Sequence, residues 1–310
     1  MNAAAAVTPE VRAAYEYCRQ VARSRARNFY YAFLALPKPK RDAICAVYAF
    51  MRRADDIADE PSQPIVTRRA QMANWLANWK QVESGAATAD PVFIALRDAQ
   101  QRFSIPADWL LKLVEGTTLD LSEEPPVYQT FEDLYRYCYL VASVVGLVCI
   151  RIFGYHDSRA EKLAEETGIA FQLTNILRDV AEDAAMGRVY LPQQDLQQFG
   201  LTAQDLLNGS AVAGDRTSLQ QLLVQEGQRA DAYYASADAL LPLIDADARP
   251  ALWVLVKIYR SLLHRMQSRN YDVFSTKVAL SSGEKYLILT QGLGKMGLQK
   301  IWPRSGEAAR

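Results

Sequence analysis

The chain has 310 residues, half of them hydrophobic, which is enough for a large core. Lys plus Arg is 35 and Asp plus Glu is 35, so no basic excess marks a nucleic-acid binder, although a small anionic substrate needs only a local cluster. Cys18, Cys45, Cys138 and Cys149 form no CxxC pair, and His156 and His264 are too few for a zinc site, so four reduced thiols in a cytoplasmic protein are expected.

The N-terminal stretch lacks a basic region followed by a long apolar run and does not read as a signal peptide. Thr8-Pro9-Glu10 caps a first predicted helix, Val11 to Arg23. Leu36-Pro37-Lys38-Pro39 breaks the chain. Lys40 to Asp59 then reads as a long helix, with Ile44, Val47, Tyr48 and Met51 at spacings of three and four. Further helices are predicted over Arg68 to Glu83, Asp90 to Phe103 and Ala107 to Leu121. Pro125-Pro126 marks a loop. Phe131 to Phe153 is long and apolar, the pattern of a central core helix, and its longest apolar stretch, Val141 to Ile150, is about half a bilayer span. Arg159 to Glu182 follows, then Gly187 to Pro192 as an ordered loop. Ser218 to Leu243 and Pro250 to Arg269 complete the predicted set. No linker divides the chain, so residues 1–310 are expected to form one all-α domain, frayed over 1–10 and 303–310.

Two motifs carry chemistry. In Arg52-Arg53-Ala54-Asp55-Asp56-Ile57-Ala58-Asp59-Glu60, a helix puts Asp55 and Asp59 on one face, where like charges repel unless a cation lies between them. Mg²⁺ takes one or two such carboxylates together with phosphate and water; a solvated acidic helix end is the plainer alternative. In the segment Gln172 to Asp183, Asn175, Asp179 and Asp183 fall four apart on one stripe, with Gln172 one turn earlier and apolar Ile176, Leu177 and Val180 beside them. An ordinary polar face is the alternative there. Two helices presenting oxygen ligands across a bundle could hold a diphosphate bridged by metal ions, and metals stabilise charge that develops as a C–O bond breaks. Arg52 and Arg178 could neutralise the remaining phosphate charge.

DDIAD and NILRDVAED, together with YCYLVASVVG and GRVYLP, resemble the squalene/phytoene synthase family from about Tyr17 to about Tyr286. The resemblance implies an all-α isoprenoid-synthase bundle around a central cavity, and a prenyltransferase that joins two allylic diphosphates head to head. It implies Mg²⁺ as cofactor, with Mn²⁺ as a substitute, and NADPH where a product is reduced. By position, Asp55 and Asp59 look like one metal-binding set and Asn175, Asp179 and Asp183 like the second. Tyr48, Arg52, Tyr137 and Asp179 match catalytic positions. Arg25, Arg27, Asn28, Gln172, Arg178 and Tyr259 match substrate-binding ones. The chain departs from the family pattern at Ala26 and Asn28, where serines are usual, and at Thr276-Lys277, where Arg is frequent. Lys277 would serve as a point charge without bidentate geometry.

Phe29, Tyr30, Tyr31, Phe33 and Phe171 are candidates for walls that keep a carbocation from water, with plain core packing as the alternative. The early sequence is similar to bacterial members that make presqualene diphosphate from farnesyl diphosphate. Geranylgeranyl diphosphate and phytoene are the near alternative; a class I terpene cyclase and a non-catalytic helical scaffold are the others. The expected partners are isoprenoid diphosphates and no nucleic acid. Peripheral membrane contact and oligomeric state are left open.

Overall fold

The structure, a computed structural model, describes residues 8–119, 121–122, 125–209 and 216–301, without the side chains of Arg27, Asn28 and 295–301. Thr8 accepts a hydrogen bond from the Val11 amide and Pro9 opens the first turn, so α1 runs Pro9–Arg25 and starts inside the stretch expected to fray. α2 (Arg27–Leu34) was not predicted. α3 (Lys38–Ala58) and α4 (Ile65–Glu83) start after prolines. Asp90 caps α5 (Pro91–Phe103), which Ser104 ends in the left-handed region at φ 51°. α6 covers Ala107–Leu119. A reciprocal capping box between Thr130 and Asp133 starts α7 (Phe131–Cys138). A π-helical turn, Tyr139–Ser143, joins it to α8 (Val144–Phe153).

α9 (Arg159–Ala185) is the longest helix described, and Gly187 to Pro192 is a loop. Two short helices follow, α10 (Gln193–Gln198) and α11 (Ala203–Leu207). α12 (Arg216–Leu240) runs into a 3₁₀ turn, and α13 (Arg249–Ser268) follows. The predicted set stops there, but α14 (Ser282–Ile301) adds another helix. Among the described residues there is no strand, only one bridge between Tyr155 and Ile244. The expected fraying after residue 302 lies outside the described residues.

Two centres of packing hold the bundle. Phe50, Trp75, Trp79 and Phe93 join α3, α4 and α5, with the Trp75 and Phe93 rings 4.2 Å apart. Trp79 and Phe50 are fully buried, and truncating either to Ala should cost about 3–5 kcal/mol. α9 is the second centre, packed along α12 and against α8, the π turn and α13. Phe131–Phe153 is therefore a continuous rod of 23 residues, twice the apolar run read from sequence and long enough to cross a membrane. In the fold it packs on α3, α6 and α9 instead. All four cysteines are free, and three are buried.

Charge is also buried. Arg229 donates to both oxygens of Glu226 (2.6 and 2.7 Å) and to Asp195 (2.8 Å), tying α12 to α10, and lies 4.3 Å over the Phe131 ring. One guanidinium faces two carboxylates. Burial pushes the Glu226 carboxyl up to about 7; Arg229 opposes the rise and Asp195 adds to it. Because the folded value lies above the usual 4.5, the stability from this group is complete in acid and is lost as pH rises through about 7. A Gln at this position can still accept from Arg229 and donate to Asp195. Glu226→Gln should therefore match the native melting temperature near pH ~5 and exceed it near pH ~8. Equal loss at both pH values would show that the charged pair with Arg229 is what stabilises the junction.

Candidate active site

The two acidic motifs lie on separate helices. α3 and α9 make no extensive contact with each other, and α8 packs against both. On α3, Asp55 is enclosed and Asp59 caps the helix end, its amide donating to the Asp55 carbonyl. Burial pushes the Asp55 carboxyl up to about 6; Arg52 opposes this and Asp59 adds to it. Arg52 itself spends its guanidinium on Asp56 (2.8 and 2.5 Å), the neighbour of Asp55. Thr117 on α6 donates to Asp55 at 3.4 Å, a long-range partner that no local pattern discloses.

On α9, the Asn175 amide donates to Gln172 at 3.3 Å, while its oxygen is buried with no hydrogen-bond partner. Arg178 is bidentate on Asp179 (2.8 and 2.5 Å). Sequence reading assigned Arg178 to phosphate and Asp179 to metal; here each neutralises the other, so both must turn to take those partners. Burial pushes Asp183 up to about 7, with Asp179 adding to the rise and Arg188 opposing it. Tyr259 is raised by burial and is near enough to Arg178 and Asn175 for both to act on its hydroxyl.

Tyr48 sits where burial raises its hydroxyl, with Arg52, Asp55 and the exposed Arg25 near enough to act on it. Tyr137 is buried and its ring lies 5.2 Å from Tyr190 and 5.5 Å from Tyr128. Tyr190 borders the same narrow cleft as Asp183 and Arg188. Tyr128 and Tyr190 are additions to the sequence reading, and the GRVYLP segment was the signal for the second. The side chains of Arg27 and Asn28, expected to bind substrate, lie outside the described residues. Lys277 donates to both oxygens of Glu182 (2.5 and 2.6 Å), so it braces the late loop against α9 rather than standing as a lone charge.

A chain of rings connects the two motifs. Tyr48 meets Phe33 (6.2 Å), Phe33 meets Phe29 (6.5 Å), Phe29 meets Tyr259 (5.9 Å), and Tyr259 stacks on Phe171 (4.4 Å). Tyr139, Leu140, Val141 and Ala142 are four consecutive half-buried residues in the middle of the apolar rod. Cys149, one helix further, is partly accessible yet enclosed enough that burial pushes its thiol up to about 12. A surface groove of ≈ 600 Å³ over Trp75 borders the first motif at Arg53, Asp56, Ile57 and Glu60, and one of ≈ 740 Å³ lies beside Tyr15; neither is lined by any of the five candidate metal residues.

The donor set fits a hard divalent cation. It is all oxygen, it stacks carboxylates that repel, and it includes the orphaned buried oxygen of Asn175. Among the described residues no three His, Cys, Asp or Glu side chains converge on one point, so neither motif forms a closed cage.

A model of the squalene/phytoene synthase family matches residues 22–284. The chain is 36% identical to the 15-cis-phytoene synthase of Synechococcus elongatus, over 88% of this chain and 90% of that one. It is 32% identical to the phytoene synthase of Mycobacterium tuberculosis, over 92% of each. Among solved structures, a dehydrosqualene synthase bound to ligand superimposes with a TM-score of 0.81 at 30% identity, covering 93% of this chain and 98% of that one. Squalene synthase HpnC from Alicyclobacillus acidocaldarius gives 0.77 at 30% identity, covering 87% and 99%.

Asp183 carries a folded-state pKa above its usual value, so its ionised form costs stability as pH rises through about 7. Asp183→Asn should raise the melting temperature near pH ~8, leave it unchanged near pH ~5, and abolish the further rise that added Mg²⁺ gives the native chain at the higher pH. A variant that Mg²⁺ still stabilises as fully as the native chain would remove Asp183 from the ligand set.

Proposed function

Because the chain belongs to the squalene/phytoene synthase family, and so is a prenyltransferase of the head-to-head kind, we propose that it couples two farnesyl diphosphates to a C30 product through presqualene diphosphate. The observation that carries the reading is the pair of oxygen-donor sets on α3 and α9, each beside a guanidinium, with a chain of rings running from one to the other.

Asp55 and Asp59 on one side, and Asn175, Asp179 and Asp183 on the other, would hold Mg²⁺. When bound, the cations neutralise the charge growing on a departing diphosphate. Arg178 releases Asp179 and turns to phosphate, joined by Arg52 and Arg25. The forks of Arg52 and Arg178 suit a phosphate as well as the carboxylate each now grips. C1 of the ionised allyl group is attacked by the double bond of the second substrate, and loss of one proton closes the cyclopropane. Tyr137 and Tyr48 have hydroxyls at the two ends of the site that can orient or relay that proton. The faces of Phe29, Phe33, Phe171 and Tyr259 shield the cation from water and favour its charge. NADPH enters only where the rearranged cation is reduced to squalene; loss of a proton instead gives dehydrosqualene.

The fifteen-carbon substrate is favoured by Phe33, which is buried between Phe29 and Tyr48 and narrows the space beside the first motif. The two similar solved structures at 30% identity, a dehydrosqualene synthase and a squalene synthase, support it as well. The relatives at 32–36% identity that are phytoene synthases favour geranylgeranyl diphosphate as the second reading.

Incubation with each diphosphate, with and without Mg²⁺ and NADPH, followed by product mass analysis, separates them. A magnesium-dependent C30 product from farnesyl diphosphate is expected. A C40 product from geranylgeranyl diphosphate alone would establish the second reading, and no coupling of either would overturn both.

A further inference from the structure

The rod from Phe131 to Phe153 is regular except for one turn. At Tyr139–Ser143 the hydrogen bonding passes to the π pattern, with the Val144 amide donating to the Tyr139 carbonyl. A π turn holds one extra residue and rotates everything beyond it by about one residue's worth of helix. No proline or glycine in the segment forces this, so the cause lies in what grips it.

Two glycines grip it from opposite helices. A Cβ placed on Gly168 of α9 would stand 2.5 Å from the Ser143 Cα, 2.7 Å from its nitrogen and 2.9 Å from the Ala142 carbonyl carbon. All three are backbone atoms, so no side chain can swing aside. A Cβ on Gly116 of α6 would stand 3.0 Å from the Leu140 oxygen and 3.1 Å from its carbon. Ser143 is fully buried and donates to the Glu165 carbonyl at 2.7 Å, fastening the turn to α9. Nor can α9 retreat. Its other side packs along α12, where Thr174 and Tyr234 hydroxyls meet at 2.9 Å in the interior.

The gripping residues are also adjacent to the chemistry. Gly168, Gln172, Asn175, Asp179 and Asp183 follow at intervals of four, three, four and four, a single stripe of α9. Gly116 precedes Thr117, the residue that donates to Asp55. The π turn thus stands between the helix that holds Asp55 in place and the helix that carries the second acid set.

We propose that the π turn Tyr139–Ser143, clamped between Gly116 and Gly168, is the spacer that sets the separation and rotation of the two acid-bearing motifs, with Gly168 as a positioning residue for the reaction. This rests on the proposed function for its turnover readout, but not for its metal-binding one. Any side chain at Gly168 must push backbone against backbone, and the displacement tips the whole stripe. Stiffly held sites lose about 100-fold in rate for misplacements near 1 Å.

The test compares the native chain with Gly168→Ala and with Leu240→Ala, a buried truncation on α12 away from both motifs. Melting temperature, kcat and KM on the prenyl diphosphate, and Mn²⁺ binding with inorganic diphosphate by electron paramagnetic resonance are measured for each. Gly168→Ala should keep a cooperative melt, lower kcat by about 100-fold with little change in KM, and weaken Mn²⁺ binding by about 10-fold. Leu240→Ala should lose at least as much thermal stability with kcat and Mn²⁺ binding intact. Native kcat and Mn²⁺ affinity in Gly168→Ala, or a parallel fall in Leu240→Ala, would overturn the proposal. If Gly168→Ala does not fold, Ser143→Ala decides: it removes one tether without adding an atom, and should lower kcat by about 10-fold and weaken Mn²⁺ binding in the same sense. No effect on either would overturn the spacer. A native chain that binds Mn²⁺ and diphosphate but couples nothing would count against the functional reading alone, and Mn²⁺ binding then decides the spacer by itself.

Discussion

Like charge held together in an enclosed place is the constraint on which this structure turns. Asp55 above Asp59 and Asp179 above Asp183 each put two carboxylates one helical turn apart, and burial raises Asp55 and Asp183 well above the ordinary range. Left alone, such pairs weaken the helices that carry them. The protein offsets the cost with guanidiniums drawn from the same helices, Arg52 onto Asp56 and Arg178 onto Asp179. Both halves of that compensation suit a second use. In the proposed reaction the carboxylates would accept a divalent cation, and the freed guanidiniums would accept the diphosphate that arrives with it.

The surrounding bundle keeps these groups in place. α9 is fixed along one side by α12 and on the other by the π turn, so its stripe of polar residues cannot drift toward solvent. The rings from Tyr48 to Phe171 run in contact from the first motif to the second. Polar bracing lies further out, where Arg229 joins α12 to α10 and Lys40 joins the start of α3 to the Phe153 carbonyl and Asp247. Stability is thus concentrated away from the acid sets, as expected of a site whose own charges oppose folding.

Much of this was legible because helical periodicity is legible. Asp55 and Asp59, and Asn175, Asp179 and Asp183, announce themselves through spacings of four on segments whose apolar positions fix the exposed face. What escaped was the non-local part. The π turn has no residue-type signature: YLVAS reads as more helix, and only Gly116 and Gly168, from elsewhere in the chain, make it bulge. Thr117 finds Asp55 across 62 positions of sequence. Arg178 reads as a phosphate partner from its place in the second motif; its pairing with the adjacent Asp179 is not foreseen. α2 and α14 were missed because the first is eight residues behind a cationic stretch and the second is interrupted by Gly292 and Gly294.

The central claim is that one diphosphate is held between two metal-binding motifs on α3 and α9. Its most direct test is anomalous diffraction from crystals of the chain grown with Mn²⁺ and farnesyl thiodiphosphate. Manganese peaks at Asp55 and Asp59 and also at Asn175, Asp179 and Asp183, with the diphosphate between them and Arg178 turned away from Asp179, are the predicted result. Metal at one motif only, or a diphosphate bound with Arg178 still on Asp179, would contradict it.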